Sequence, residues 1–143
     1  MITKKYAEFK NLDPFFNAFT TGLGSLVKGE HFWDYIGEDI TYDFRYRFPG
    51  LPEKIVGRDE LMKCFAGVCD IEILYSNSNL IVHQTTDPRV IVLECEIQGK
   101  SLRSGKPYEN RFACILTVEN QKIVYWRDYM DSLAAFTTHG ENN

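Results

Sequence analysis

The stretch from residue 108 to residue 136 constrains the fold of this chain more than any other. It predicts two long antiparallel strands, 108–118 and 122–130, joined by a tight turn at residues 119–121 and followed by a short helical tail. Asn120 at the centre of the turn tolerates left-handed backbone, and β-branched and aromatic residues fill both strands. We expect this hairpin to organise the rest of the chain.

Strand alternation predicts which side chains of the hairpin share a face. One face of the second strand carries Val124, Trp126, Asp128 and Met130, and the other carries Ile123, Tyr125, Arg127 and Tyr129. The preceding strand groups Tyr108, Asn110, Phe112, Cys114 and Leu116. Asp128 is therefore a single carboxylate on an otherwise apolar strand face, and it becomes the obvious chemical group if that face lines an enclosed space.

Composition bounds the class of protein. The 143 residues suffice for one domain with a real core. Aromatic residues make up 14%, which favours a core or cavity lined by rings. Sixteen basic against twenty acidic residues give a net charge of -4, the wrong sign for a phosphate-backbone binder. We therefore expect no nucleic acid partner.

Targeting and metal signals are also missing from the sequence. The lysines near the N-terminus are not followed by an apolar segment, and no apolar run approaches the roughly 18 residues of a membrane span. The four cysteines lack CxxC spacing and the three histidines are scattered. These patterns predict a cytoplasmic protein with free thiols, no membrane partner, no structural metal and no cofactor.

Three helices are predicted before the hairpin. The first starts at Asp13 and Pro14, with Asp13 as the expected cap, and runs for about four turns with an apolar stripe. Gly22 and Gly24 weaken it by roughly 1 kcal/mol each, and a close backbone approach is one possible reason for them. A short second helix spans 30–36 and ends at Gly37. The third runs from Gly57 to about residue 68, with Asp59 as its expected cap.

The remaining segments read as strands. These are 39–47, a short partner at 54–56, a segment at 71–83 broken near 76–79, and 89–98. Helices followed by a meander of long strands predict an α+β fold with a strongly curved antiparallel sheet. We expect an N-terminal extension at 1–11, one domain at 12–136 and a flexible tail at 137–143.

Several motifs then resemble a known family in their order and spacing. They are "GED" before a strand containing Thr41, Tyr42 and Asp43, "GRDEL" from residue 57, and "GKPYENRFACILTVENQKIVYWRDYMD" from residue 105. Together they resemble the NTF2-like superfamily, in particular its SnoaL-like group, which includes polyketide cyclases and has ketosteroid isomerases and limonene-epoxide hydrolases as relatives. The resemblance implies a cone of curved sheet closed by N-terminal helices, a hydrophobic pocket and a homodimer.

The segment "WRDYMD" from residue 126 is similar to a strand of limonene-epoxide hydrolases that carries one Asp of a catalytic Asp, Arg, Asp set. That Asp matches Asp128. The positions for the Arg-x-Asp part hold Cys95, Glu96 and Ile97, so the set is broken. Tyr42 matches the Tyr that positions water there, but its companion Asn is Phe44. What carries over is a pocket and one carboxylate.

Asp128 is the candidate general acid or base, because desolvation between apolar neighbours raises a carboxyl pKa toward neutrality. The alternative is a structural anchor held by hydrogen bonds. Asn110 is costly to bury unless a ligand or Asp128 satisfies its amide. The candidate ligand-binding residues are Trp33, Tyr42, Asn110, Phe112, Trp126 and Met130, although aromatic residues at such spacings are also typical of plain core.

The opposite face of the hairpin is too apolar for an exposed sheet. It carries Ala113, Ile115, Ile123, Tyr125 and Tyr129. A second copy of the chain is the simplest cover, so we predict a homodimer through this outer face. Two functions remain open: an enzyme that uses Asp128 on a small hydrophobic, ring-containing molecule, or a binding or assembly module without chemistry.

Overall fold

Helices and strands follow one another along the chain in the predicted α+β order. The computed structural model describes residues 6–140. Three α-helices form: α1 (Asp13–Leu23), α2 (Arg58–Cys69) and α3 (Ser132–Ala135). Six strands form: β1 (Ile36–Phe44), β2 (Lys54–Val56), β3 (Glu72–Gln84), β4 (Val90–Ser101), β5 (Pro107–Glu119) and β6 (Lys122–Met130). Short 3-10 segments cover Ala7–Leu12, Gly24–Leu26 and Phe32–Tyr35, and a π-helical turn covers Phe136–Gly140.

The six strands form one sheet in the order β2-β1-β6-β5-β4-β3. The expectation of an entirely antiparallel sheet was wrong, because β1 pairs with β6 in parallel, with Tyr42 opposite Trp126 and Phe44 opposite Asp128. After α2 the chain enters the far edge of the sheet at β3 and returns by three successive reversals to reach β1. Sequence patterns reveal hairpins between consecutive strands, whereas this parallel pair joins strands about 80 residues apart.

The predicted hairpin is confirmed. β5 and β6 pair from Phe112 and Met130 to Glu119 and Lys122. Asn120 and Gln121 form the turn with φ angles of 51° and 61°. Both residues are left-handed, which is the backbone that a two-residue type I′ turn requires and that suits the twist of the flanking strands.

One residue of the hairpin has the opposite orientation to the one predicted. The register of β5 with β6 shifts between Thr117 and Val118, so that Val118 pairs with Ile123 while Thr117 pairs with Tyr125. The extra residue, Val124, reverses the alternation, and Ile123 is fully buried instead of lying on the outer face. From Tyr125 onward the predicted parity holds, because no further bulge follows in this pair.

Helix α1 packs on β3 and β4. Its buried side chains include Phe15 and Phe19, whose rings both contact that of Trp126 on β6. A Cβ atom at Gly22 would lie 2.7 Å from Cδ1 of Leu93, so the close approach considered for this glycine is present. Gly24 has a different role, since its φ of 52° ends the helix.

The predicted helix caps differ from those observed. Asp13 is the first residue of α1 and does not cap it. Asp59 lies inside α2, and the residue that precedes this helix is Gly57, whose φ is 99°. The short second helix is only a 3-10 turn, capped by His31. Gly37 does not end it but belongs to β1, because Ile36 already pairs with Ile123 on β6.

Both ends of the described chain pack onto the domain. Tyr6 and Phe9 are buried before the expected domain start at residue 12. The tail expected to be flexible continues as an ordered turn through Gly140, and the His139 side chain is buried within it. Residues 1–5 and 141–143 of those two segments lie outside the described residues. Between residues 6 and 140 no helix is long and apolar enough to cross a membrane.

Candidate functional site

A cavity of about 140 Å³ lies between the inner face of the sheet, helix α2 and the C-terminal turn. Its walls consist mainly of aromatic and aliphatic side chains from β1, the 45–51 loop, α2, β3 and β5. Four of the predicted site residues line it: Tyr42, Phe112, Asp128 and Met130. Among the residues that the structure describes, the only Asp, Glu, His, Lys or Arg side chains in the lining are Asp128, Glu72 and His139.

Asp128 reaches the cavity because β6 lies in the middle of the sheet, between β1 and β5. Its backbone is opposite Phe44 on one side and Cys114 on the other. The side chain points to the inner face, as the alternation predicted, and the residue is only 1% exposed. A carboxylate therefore stands at the wall of a largely apolar space.

The carboxylate of Asp128 is held by several donors. The indole Nε1 of Trp126 donates to Oδ1 over 2.9 Å, and Sγ of Cys114 donates to the same oxygen over 3.2 Å. The hydroxyl groups of Tyr42 and Tyr46 also hydrogen-bond to this side chain. These contacts fix the orientation of the carboxyl group, because donors from three strands or their ends converge on it.

Burial and hydrogen bonding act in opposite directions on this group. Burial, the larger effect, raises the pKa of Asp128 to about 6, although the bonds from Trp126, Cys114 and the two tyrosines lower it. The net result places the titration of the carboxyl group close to neutral pH. It can therefore accept a proton more readily than an exposed aspartate can.

The neighbouring hydroxyl and thiol groups stay protonated. Burial raises the pKa of Tyr42, Tyr46 and Cys114 well above their ordinary values, and the charge of Asp128 adds to the shift. Burial also raises the pKa of Cys95 to about 12. These groups act as donors and packing residues, and the thiols are poor nucleophiles because the thiolate form is disfavoured.

The two tryptophans lie outside the cavity lining. Trp126 stacks on the Tyr42 ring with centroids 5.1 Å apart, so it forms the layer behind Asp128. Trp33 is fully buried, with its ring 5.2 Å from that of Phe9 and 5.4 Å from that of Phe65. Its Nε1 has no hydrogen-bond partner in the described part of the chain. The structure thus places Trp33 in the helix-side core, away from Asp128.

Asn110 also lies outside the lining and needs no ligand to satisfy its amide. Its Nδ2 donates to the hydroxyl of Tyr108 over 2.7 Å and to Sδ of Met130 over 3.4 Å. Its Oδ1 accepts from the backbone N–H groups of Arg111 and Asp131. Neither a ligand nor Asp128 is required, contrary to the expectation from sequence. Asn110 instead orients two residues that do line the cavity.

Sequence reasoning missed a second polar cluster in the lining. The side chains of Glu72 and His139 are buried, with Nε2 of His139 3.1 Å from Oε1 of Glu72. Burial raises the pKa of Glu72, and the neighbouring His139 lowers it. Alternation with Leu74 could have placed Glu72 on the inner face. No pattern could have placed His139, because it lies in a segment expected to be a tail.

Two further features bear on the chemistry. Cys95 and Ile97 are buried on the inner face of β4, so these positions bring neither an arginine nor a second aspartate to Asp128. Within residues 6–140 no three side chains of His, Cys, Asp or Glu are grouped to hold a metal ion. Tyr46 lies just after the end of β1. Its side chain lines the cavity together with Tyr42, as the alternation of the two residues predicted.

Comparison with known proteins points to one family. A model described as the SnoaL-like domain matches residues 15–126. A Bacillus subtilis (strain 168) protein named YesE and described as uncharacterised is 23% identical over 108 residues, 76% of this chain and 71% of that protein. The family match covers most of α1 and the chain up to the middle of β6, and it ends two residues before Asp128.

Solved structures show the same fold. The structure of a proposed isomerase from Bacillus subtilis matches with a TM-score of 0.73 and 18% identity over 93% of each chain. That of a proposed polyketide cyclase from Pseudomonas putida KT2440 matches with a TM-score of 0.66 and 14% identity, over 92% of this chain and 97% of the other. At such identities the likeness shows the NTF2-like fold that the sequence predicted.

Proposed function

Because the chain belongs to the SnoaL-like domain family, whose model matches residues 15–126, we propose that it binds a small hydrophobic, ring-containing molecule in its cavity and that Asp128 exchanges a proton with that molecule. The observation that carries the proposal is a buried carboxylate with a pKa of about 6 at the wall of an apolar cavity. Perturbed carboxyl groups in apolar pockets are typical of acid–base sites.

The size of the cavity supports a ring as the bound group. An engineered apolar cavity of about 150 Å³ in another protein binds benzene. The cavity here, at about 140 Å³, therefore suits one ring, either a whole ligand or the reacting part of a larger polyketide, steroid or terpenoid. Phe48 and Leu51, on the loop after β1, are half-buried members of the lining and would contact the remainder of a larger molecule.

The chemistry that fits is proton transfer at carbon. The carboxylate of Asp128 takes a proton from a carbon next to a carbonyl group, and the electron pair of the broken C–H bond moves toward the carbonyl oxygen. The neutral carboxylic acid then returns the proton at another atom of the same molecule, so no external reactant is needed. Isomerisation and aldol-type cyclisation both follow this balance.

The proposal is tested with Asp128→Asn, which keeps the shape of the side chain and removes its basicity. Asp43→Asn is the matched control, because Asp43 lies one residue from Phe44 on the other face of the sheet and accepts from the Tyr125 hydroxyl. We expect Asp128→Asn to lose turnover of cyclic ketones at least 100-fold while retaining their binding. Full turnover in Asp128→Asn would exclude the proton-transfer role.

A second candidate function is ligand binding without chemistry. It is favoured by the hydrogen bonds that Oδ1 of Asp128 already accepts from Trp126 and Cys114, since such contacts are typical of a structural anchor. In that case Asp128→Asn and the wild-type protein would bind cyclic ketones alike, and neither would exchange the protons next to the carbonyl for deuterium. NMR detection of this exchange separates the two functions.

The proposal extends to a cytoplasmic homodimer that assembles through the outer face of the sheet. Ala113, Ile115 and Tyr125 lie on that face and are only partly buried, and Tyr129 is 37% exposed. These apolar side chains support the proposed dimer because a second copy would shield them from water.

A further inference from the structure

The Glu72–His139 pair lines the same cavity as Asp128 and takes no part in the chemistry proposed above. Glu72 is 7% exposed and His139 is 2% exposed. Nε2 of His139 lies 3.1 Å from Oε1 of Glu72. Both ring nitrogens are buried and neither makes a hydrogen bond to the described residues; Nε2 has Glu72 at ion-pair distance, whereas no ion pair reaches Nδ1. A buried polar atom with no partner is rare, because its desolvation is uncompensated.

The position of His139 is fixed by contacts of the C-terminal turn with the loop between β4 and β5. The carbonyl oxygen of His139 accepts from Nη1 of Arg103 over 3.2 Å, and that of Thr138 accepts from Oγ of Ser104 over 3.0 Å. The imidazole also packs against the ring of Tyr108, with centroids 4.2 Å apart. The unpaired nitrogen is thus held in place by the fold.

The protons of the pair can be assigned from charge. Burial disfavours a net charge on the pair because little water reaches either group. The forms of the pair without net charge are therefore preferred. These forms are a carboxylate beside an imidazolium, and a carboxylic acid whose proton faces the bare Nε2 of a neutral imidazole across the 3.1 Å contact. In both forms Nδ1 carries a hydrogen atom, so its missing partner must be an acceptor.

We propose that Nδ1–H of His139 is a ligand-binding donor and that the molecule bound in the cavity carries an acceptor oxygen, of the carbonyl type, placed against it. This inference rests on the proposed binding function, and it adds the polar group by which the ligand is oriented. Glu72 is the positioning residue, since its Oε1 lies 3.1 Å from Nε2 and leaves Nδ1 as the nitrogen that meets the ligand.

The test uses the full chain and two probes of similar size, benzaldehyde and toluene, of which only the first has an acceptor oxygen. Nitrogen-15 NMR of the imidazole rings follows His139, with His83 on the outer face as an internal control. We expect benzaldehyde to shift the Nδ1 resonance of His139 and toluene to leave it nearly unchanged. The His83 resonances should respond to neither compound.

Two variants separate the hydrogen bond from packing. His139→Leu removes the donor, and we expect it to reduce the preference for benzaldehyde over toluene about tenfold, because the buried carbonyl then lacks a partner. His139→Asn keeps an N–H group near the position of Nδ1 and should retain that preference within about threefold. The measurement is the ratio of the two dissociation constants for each protein.

The outcomes separate this inference from the proposed function. If both compounds bind in the cavity and shift Nδ1 equally, or if His139→Leu keeps the preference for benzaldehyde, the inference is overturned while cavity binding stands. If neither compound perturbs any lining residue at millimolar concentration, the inference and the proposed binding function are both overturned. Should His139→Leu fail to fold, the wild-type NMR comparison decides alone.

Discussion

Nε1 of Trp126 donates a hydrogen bond of 2.9 Å to Oδ1 of Asp128, two residues further along the same strand. The two side chains share a face of β6 because alternate residues of a strand point the same way. Trp126 also stacks on Tyr42, whose hydroxyl contacts the same carboxyl group. The indole therefore connects the aromatic core to the proposed catalytic group.

Replacement of Trp126 by Phe should raise the pKa of Asp128 further. The variant keeps the ring stack but removes a hydrogen bond that favours the charged form of the carboxyl group. It should also lower the free energy of unfolding by about 1–3 kcal/mol. The pKa is measured by carbon-13 NMR titration of the carboxyl resonance.

Trp33→Phe is the matched control for that experiment. Nε1 of Trp33 has no hydrogen-bond partner in the described chain, and its indole is not part of the cavity lining. The titration of Asp128 should therefore stay unchanged in Trp33→Phe. An equal rise of the pKa in both variants would show that loss of packing, rather than the indole donor, controls the carboxyl group.

The stability of the protein should depend on pH through Asp128. Burial raises the pKa of this group from 3.8 to about 6, so the native state holds the proton more tightly than the unfolded chain does. The resulting stabilisation is fully present below about pH 4 and is lost as the pH rises through 6. The loss between pH 4 and pH 8 is about 2 kcal/mol.

Asp128→Asn removes this contribution while Glu72, the other buried carboxyl group of the cavity, remains. The difference in unfolding free energy, wild type minus Asp128→Asn, should therefore fall by about 2 kcal/mol between pH 4 and pH 8. Urea denaturation of both proteins at the two pH values measures it. A difference that does not change with pH would contradict the raised pKa.

Two glycines should respond to alanine in opposite ways. A Cβ at Gly99 would lie 2.1 Å from the backbone oxygen of Ile73, next to the bulge in the antiparallel pairing of β3 with β4. Gly99→Ala should therefore destabilise the fold by about 2–3 kcal/mol. A Cβ at Gly67 in α2 would meet no atom within 4 Å, and Gly67→Ala should stabilise by about 0.5–1 kcal/mol. Thermal unfolding compares them, and a loss of stability in Gly67→Ala would contradict the open space at that position.

The predicted homodimer should depend on Ile115, which lies on the outer face of β5 opposite Val92 and Arg127. Ile115→Lys places a charge in the proposed interface and should raise the dimer dissociation constant at least tenfold. Asn17→Lys adds the same charge on exposed surface of α1 and should leave the dimer intact. Sedimentation at micromolar concentration measures both, and a monomeric wild-type protein would refute the dimer.

Local pattern was enough to predict the hairpin and the direction of Asp128. The turn residues and the alternation in β5 and β6 act over a few residues, and the observed pairing of Glu119 with Lys122 follows from them. The same alternation failed at Ile123, because a single extra residue at Val124 changes the face without a signal in composition. Caps were predicted less well, since Asp13 and Asp59 fit the preferred residue types without making the bond.

The sequence alone determined the α+β order, the long hairpin and the carboxylate on an apolar strand face, because these depend on neighbours along the chain. Tertiary structure alone decided that β1 lies parallel to β6, which brings Tyr42 and Tyr46 to Asp128. It also decided that the C-terminal turn folds back to place His139 beside Glu72. Contacts between residues this far apart form only when the whole core packs, and no short stretch of sequence encodes them.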